Sequence, residues 1–104
     1  MTRIFKILPG ADWERAISLR RFDGSATDVA DGFIHFSTAD QLAETARRHF
    51  AGQAGLVVLE VEADALGPAL RWEPSRGGAP FPHLYGPLEV THVLSFRPLD
   101  APPS

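Results

Sequence analysis

Asp31-Gly32-Phe33-Ile34-His35-Phe36-Ser37-Thr38 is the stretch whose reading decides the fold. Its middle is aromatic and branched, which suits an extended strand. Side chains on a strand alternate faces, so Phe33, His35 and Ser37 project one way and Ile34 and Phe36 the other. Such a strand would bury Ile34 and Phe36 and aim His35 and Ser37 into a shared space. Thr38-Ala39-Asp40-Gln41 then has the form of a capping box. In it the Thr38 hydroxyl and the Gln41 side chain satisfy backbone donors at a helix start. Ala39, Leu42, Ala43, Ala46 and Phe50 recur at helical spacing, and Gly52 or Gly55 is expected to end the helix. A strand therefore feeds a helix here.

Upstream, residues 3–8 read as a first strand stopped by Pro9-Gly10. Asp12 is expected to cap a helix to about Arg20, with Trp13, Ala16, Ile17 and Arg20 on one face. Residues 21–31 carry Gly24, Ser25, Thr27 and aspartates with little periodicity, and read as a loop. Downstream, Leu56 to Glu62 is β-branched and apolar enough for a central strand. Residues 63–68 turn the chain, and Leu70 to Glu73 forms a short strand. Residues 74–87 hold Pro74, Pro80, Pro82 and Pro87 with Gly77, Gly78 and Gly86. Proline removes donors and fixes φ, so an irregular but ordered loop is expected there, anchored by Phe81, His83, Leu84 and Tyr85. Val90 to Phe96 reads as a last strand, with Leu88, Val90, Leu94 and Phe96 in one parity.

The order β-α-β-α-β-β-loop-β predicts a mixed α+β fold: one curved sheet with two covering helices. Its 104 residues suffice for a single core, so one domain spans residues 1–104. The ordered part is expected over about residues 3–98, with residues 99–104 fraying. A net charge of -3 offers no broad basic surface for duplex nucleic acid, while a nucleotide ligand stays open. The absence of cysteine removes disulfides, thiolate catalysis and thiolate metal sites together. No apolar run approaches the roughly 20 residues of a membrane span, and the N-terminal run is too short for a signal peptide. The expectation is a soluble, cytoplasmic protein with no membrane partner, either monomer or homodimer.

His35 and His83 sit in the two most distinctive segments. Each is open to two readings, a satisfied structural imidazole or a site residue. His49, late in the second helix, reads as structural because a cationic ring suits the helix C-terminus. No histidine pair has short ligand spacing, so no metal site is read. Ser37 lacks the flanks of a nucleophile elbow and reads more simply as closing the strand-to-helix turn, near helix amides that could bind phosphate. Glu73 is the most interesting carboxylate, able to accept from a ribose hydroxyl or stabilise a developing cation. Arg71 and Arg76 flank it, and Tyr85 and Phe81 could stack on a planar ring.

Gly32-Phe33-Ile34-His35-Phe36-Ser37-Thr38, Arg71-Trp72-Glu73 and Phe81-Pro82-His83-Leu84-Tyr85-Gly86-Pro87 together resemble the bacterial family called domain of unknown function 952. The resemblance covers about residues 3–98. It implies membership of the ADP-ribosyltransferase-like superfamily, whose enzymes bind NAD in a cleft between two small sheets. By that resemblance the strand carrying His35 and Ser37 is the floor beneath the nicotinamide ribose. Glu73 is the candidate for the catalytic glutamate, with Glu89 in reserve. NAD is then a possible substrate, and no cofactor is otherwise implied. The superfamily usually places a histidine or arginine on the first strand, where this chain has Lys6. The resemblance therefore implies Glu73 and His35 as catalytic, and Ser37, His83, Tyr85, Arg71 and Lys6 as ligand-binding. A non-catalytic ligand-binding or interaction module that keeps the fold is the alternative.

Overall fold

Strand β1 (Arg3–Pro9) runs antiparallel to β5 (Leu56–Glu62) along its whole length, from Arg3 opposite Glu62 to Pro9 opposite Leu56. Alternation places Ile4, Lys6 and Leu8 on one face with Val57, Leu59 and Val61. Phe5 and Ile7 share the other face with Leu56 and Val58. Both faces are covered over most of their length, which is why these strands are largely apolar; Arg3, Glu60 and Glu62 pair at the open end of the second face. The computed structural model describes residues 1–99, and the side chain of Arg76 lies outside what it describes, as do residues 100–104 of the expected frayed tail.

Helix α1 (Gly10–Leu19) and helix α3 (Ala39–His49) cover opposite faces of this sheet. Trp13 and Ala16 of α1 join Ile4, Leu8, Leu59 and Val61 in the larger core. Ala46, with Leu42 and Phe50, packs on Ile7, Leu56 and Val58. The expected start of α1 is corrected: Pro9 stands at the N-cap and Asp12 lies inside the first turn, where its charge still suits the helix dipole. Ile17 of the expected apolar face is about half exposed. The capping box of α3 forms as expected, with Gln41 N donating to Thr38 Oγ1 and Thr38 N to Gln41 Oε1. Helix α3 ends at Phe50 rather than at a glycine.

The opening stretch does not stay in one sheet. Strand β3 (Ile34–His35) pairs with β7 (Pro80–Leu84), while β4 (Ser37–Thr38) pairs with β1 at Phe5 and Ile4. Phe36 is the crossing residue, its N–H donating to the Pro82 carbonyl at 3.0 Å. One sheet therefore has the order β4-β1-β5-β9, with β9 at Val93–Pro98, and a second the order β3-β7-β6, with β6 at Leu70–Pro74. The expected single curved sheet is thus two antiparallel sheets joined at one strand. A two-residue ribbon of β2 (Arg21–Phe22) and β8 (Leu88–Glu89) completes the pairing among the described residues.

Three further expectations are corrected. Residues 21–31 are not simply a loop: they contain β2 and a third helix, α2 (Ala26–Asp31), opened by a capping box between Ser25 and Asp28. Aspartate at the third helical position serves the box as glutamate would. The proline-rich segment contains β7, in the middle of its sheet. The carbonyls of Pro80 and Pro82 accept from Gln41 Nε2 and Phe36 N, on the side beyond the short pairing with β3. A strand residue directs its N and its carbonyl to the same side, so the missing N–H groups fall where no ladder follows. Lastly, a 3-10 turn at Val90–His92 separates β8 from β9. Leu88 is fully buried, whereas Leu94 and Phe96 lie on an exposed edge strand.

Candidate functional site

A cavity of about 550 Å3 lies where the two sheets part. Pairing of β1 with β4 stops at Phe5, and the chain leaves for the second sheet at Phe36. Walls come from Phe5 to Ile7 of β1, Phe36 and Ser37 at the crossing, Phe81 and His83 of β7, and Thr45, His49 and Phe50 of the α3 region. Helix α2 and its start contribute Ser25, Thr27, Asp28 and Asp31.

Lys6 projects into the main core face, so its ammonium needs a buried partner. Asp28 supplies it: Lys6 Nζ lies 3.0 Å from Oδ1 and 2.8 Å from Oδ2. The same carboxylate accepts from His35 N at 3.1 Å, from His35 Nδ1 at 2.6 Å and from Ser25 N at 2.9 Å. His35 Nε2 in turn meets Asp31 Oδ2 at 2.9 Å. Burial works against ionisation of Asp28, but the His35 hydrogen bond and the Lys6 charge outweigh it and hold the carboxyl well below the usual range. Burial also lowers the Lys6 ammonium, and attraction to Asp28 opposes that shift. Lys6, Asp28 and His35 thus form one closed network, with both nitrogens of His35 engaged.

A second network lies on β6 and β7. His83 Nδ1 donates to Glu73 Oε1 at 2.8 Å, and the Tyr85 hydroxyl donates to the same oxygen at 2.7 Å. The Tyr85 bond, then that of His83, holds the Glu73 carboxyl below its ordinary range, while the bond to Glu73 pushes the Tyr85 phenol up. Phe33 stacks on the His83 ring, centroids 4.0 Å apart, and tilts against His35 and Tyr85. The His35 and His83 rings lie 5.6 Å apart.

Four of the seven expected site residues, Lys6, His35, Ser37 and His83, line the cavity. Ser37 shares a hydrogen bond with Thr45, Oγ to Oγ1 2.9 Å. Glu73 does not line it; its Oε1 stands behind His83, so its contact with the cavity runs through that ring. Tyr85 is also outside, with the Arg71 guanidinium 4.9 Å over its ring. Glu89 sits in the small ribbon, exposed and away from the cavity. Sequence reasoning missed Asp28 and Asp31. The Ser25-to-Asp28 spacing was the available signal for Asp28, and no comparable signal marks Asp31. Among the described residues, no group of three or more histidine and acidic side chains converges as metal ligands would. No helix among them is long and apolar enough to cross a membrane.

The fold and site define a small α+β domain with a histidine-bearing cleft between two antiparallel sheets. The chain belongs to the family described as Protein of unknown function (DUF952), whose model matches residues 7–96. It is similar to protein CC0527 from Caulobacter crescentus: the X-ray structure of that protein is 56% identical, with a TM-score of 0.94 over 95% of this chain and 87% of that one. The solution NMR structure of CC0527 is 57% identical and superposes with a TM-score of 0.86, covering 96% and 86% of the two chains. No curated protein matches. These likenesses reach the family and stop short of the ADP-ribosyltransferase-like superfamily.

Proposed function

We propose that the domain binds NAD or a related nucleotide in the cleft, with the ring-and-ribose end inside. The observation that carries this reading is the cavity itself: about 550 Å3, within the usual range for ligand sites, at the parting of two small sheets. Phe5 and Phe50, both only partly buried, line the cavity with apolar rings that suit a planar ligand ring, and Phe81 lines it from β7. Ser25, Ser37 and Thr45 hydroxyls and the rim carboxylates Asp12 and Asp31 suit ribose hydroxyls. Among the described side chains, Lys6 is the one lysine or arginine that lines the cavity, and it is committed to Asp28, so the described lining suits ring and ribose better than pyrophosphate. If ADP-ribose is transferred, the ribose C1′–nitrogen bond breaks, nicotinamide leaves with the electron pair, and an acceptor atom takes its place.

One observation favours a binding module without transfer chemistry: Glu73, the candidate to stabilise the oxocarbenium-like state, is turned to His83 and Tyr85. Calorimetry with NAD, nicotinamide mononucleotide and ADP-ribose tests the binding. NAD and the mononucleotide are expected to bind, ADP-ribose more weakly; no heat with any of them at millimolar concentration ends the nucleotide reading. Release of nicotinamide from bound NAD by the wild type but not by Glu73→Gln selects transfer, and bound but intact NAD selects the module.

A further inference from the structure

Glu73, His83 and Tyr85 have an arrangement that ligand binding alone does not require. An ionised carboxylate accepts hydrogen bonds and cannot donate them. His83 Nδ1 lies 2.8 Å from Glu73 Oε1, so that nitrogen carries a hydrogen. The Tyr85 hydroxyl pins the same oxygen at 2.7 Å, and the Phe33 ring stacked at 4.0 Å fixes the imidazole plane. Nε2 makes no hydrogen bond with any described residue. It is not sealed in the interior either, because the one buried side-chain nitrogen or oxygen left unpartnered among the described residues is Trp13 Nε1. His83 lines the cavity. Of the two histidines on the paired strands β3 and β7, His83 is thus the one with an unspent nitrogen, whereas both nitrogens of His35 are held by carboxylates; His49 also lines the cavity, from α3.

We infer that His83 is a proton-accepting catalytic residue of this cavity, with Glu73 and Tyr85 as positioning residues. The substrate class is a ligand with a hydroxyl, or an electrophilic carbon beside which the cavity holds a water. In the step, the O–H bond breaks and its proton bonds to Nε2. The oxygen lone pair attacks the electrophilic carbon, and the leaving group departs with the bonding electrons. His83 becomes imidazolium, Nδ1–H stays on Glu73, and the carboxylate stabilises the new charge. The proton then passes to the leaving group or to solvent, which restores the ring. The inference rests on the cavity being a ligand site, though not on the nucleotide that fills it.

Long-range proton–nitrogen NMR of 15N-labelled protein reads the tautomer directly, without ligand. With the ring neutral, His83 is expected to show hydrogen on Nδ1 and a lone pair on Nε2. Glu73→Ala should move most of that population to the other tautomer, and Glu73→Gln should restore it, because the amide oxygen can still accept. A residue that only packs would leave the tautomer unchanged. Diethyl pyrocarbonate with peptide-mass mapping is the second reading: His83 should be acylated in the wild type, and severalfold more slowly in Glu73→Ala. A neutral His83 with hydrogen on Nε2, or a His83 that resists the reagent while His49 and His92 react, overturns the inference. Neither result bears on nucleotide binding, which calorimetry decides separately.

Discussion

The Lys6–Asp28–His35 network and the Glu73–His83–Tyr85 network flank the same cleft, and both join a carboxylate to an imidazole. They differ in what is left over. In the first, Asp28 is buried and every charged atom is matched: Lys6 on both oxygens, His35 by backbone and ring, Ser25 by its amide. Such closure ties β1, α2 and β3 together and leaves no group to spare. In the second, Glu73 is partly exposed and His83 keeps a nitrogen. Closure makes scaffold; an unspent donor or acceptor makes chemistry.

Removing Asp28 should show the first half of that contrast most strongly. Asp28→Ala strands a buried lysine and a helix cap, and is expected to cost about 3–5 kcal/mol in urea unfolding. The double variant Lys6→Met/Asp28→Leu should recover much of the loss, because an apolar pair has no charge to desolvate. A single variant that unfolds like the wild type would deny Asp28 its role.

The pH dependence follows from the direction of the Asp28 shift. The unfolded carboxyl takes up its proton near about pH 4, the folded one only in stronger acid. The unfolded state therefore binds the proton first, so the Asp28 contribution is fully present above about pH 4 and lost as pH falls through the folded value. Unfolding free energies measured between about pH 3 and pH 7 should fall on the acid side, and Asp28→Asn should flatten that fall. An unchanged slope would mean that other carboxylates carry it.

Smaller effects separate the cap from the network. Ser25→Ala removes one half of the α2 capping box and is expected to cost about 1 kcal/mol in thermal unfolding. Glu73→Gln should cost less than Ser25→Ala, since its site is open to water, and should act on the His83 ring rather than on stability. Equal losses at Asp28 and Glu73 would erase the distinction between the two networks.

The difference between the networks was partly legible in the sequence. Apolar runs such as residues 3–8 and Leu56 to Glu62 announce β1 and β5 because both faces of these strands are covered over most of their length. Thr38 and Gln41 announce α3 because a capping box has a fixed spacing. The division into two sheets was not legible, since Ile34 to Thr38 reads as one strand and only its partners show that it changes sheets. Pro80 and Pro82 hid β7, because a proline's cost depends on which side its nitrogen faces. Asp28 was hidden for a similar reason: its importance comes from Lys6, distant in sequence and opposite it in space. His35, Ser37 and His83 were nameable beforehand as neighbours of one space, whereas the turning of Glu73 away from it depends on the offset between β6 and β7.

Backbone chemical-shift mapping with nicotinamide mononucleotide is the most direct test of a ligand site at the parting of the sheets. Shifts are expected to cluster on both sides of the cleft, at Phe5, Ser37 and Thr45 and at Phe81 and His83, and to leave the exposed β9 residues Leu94 and Phe96 unmoved. Shifts confined to β9 or to the β2–β8 ribbon, or none at saturating ligand, would contradict it.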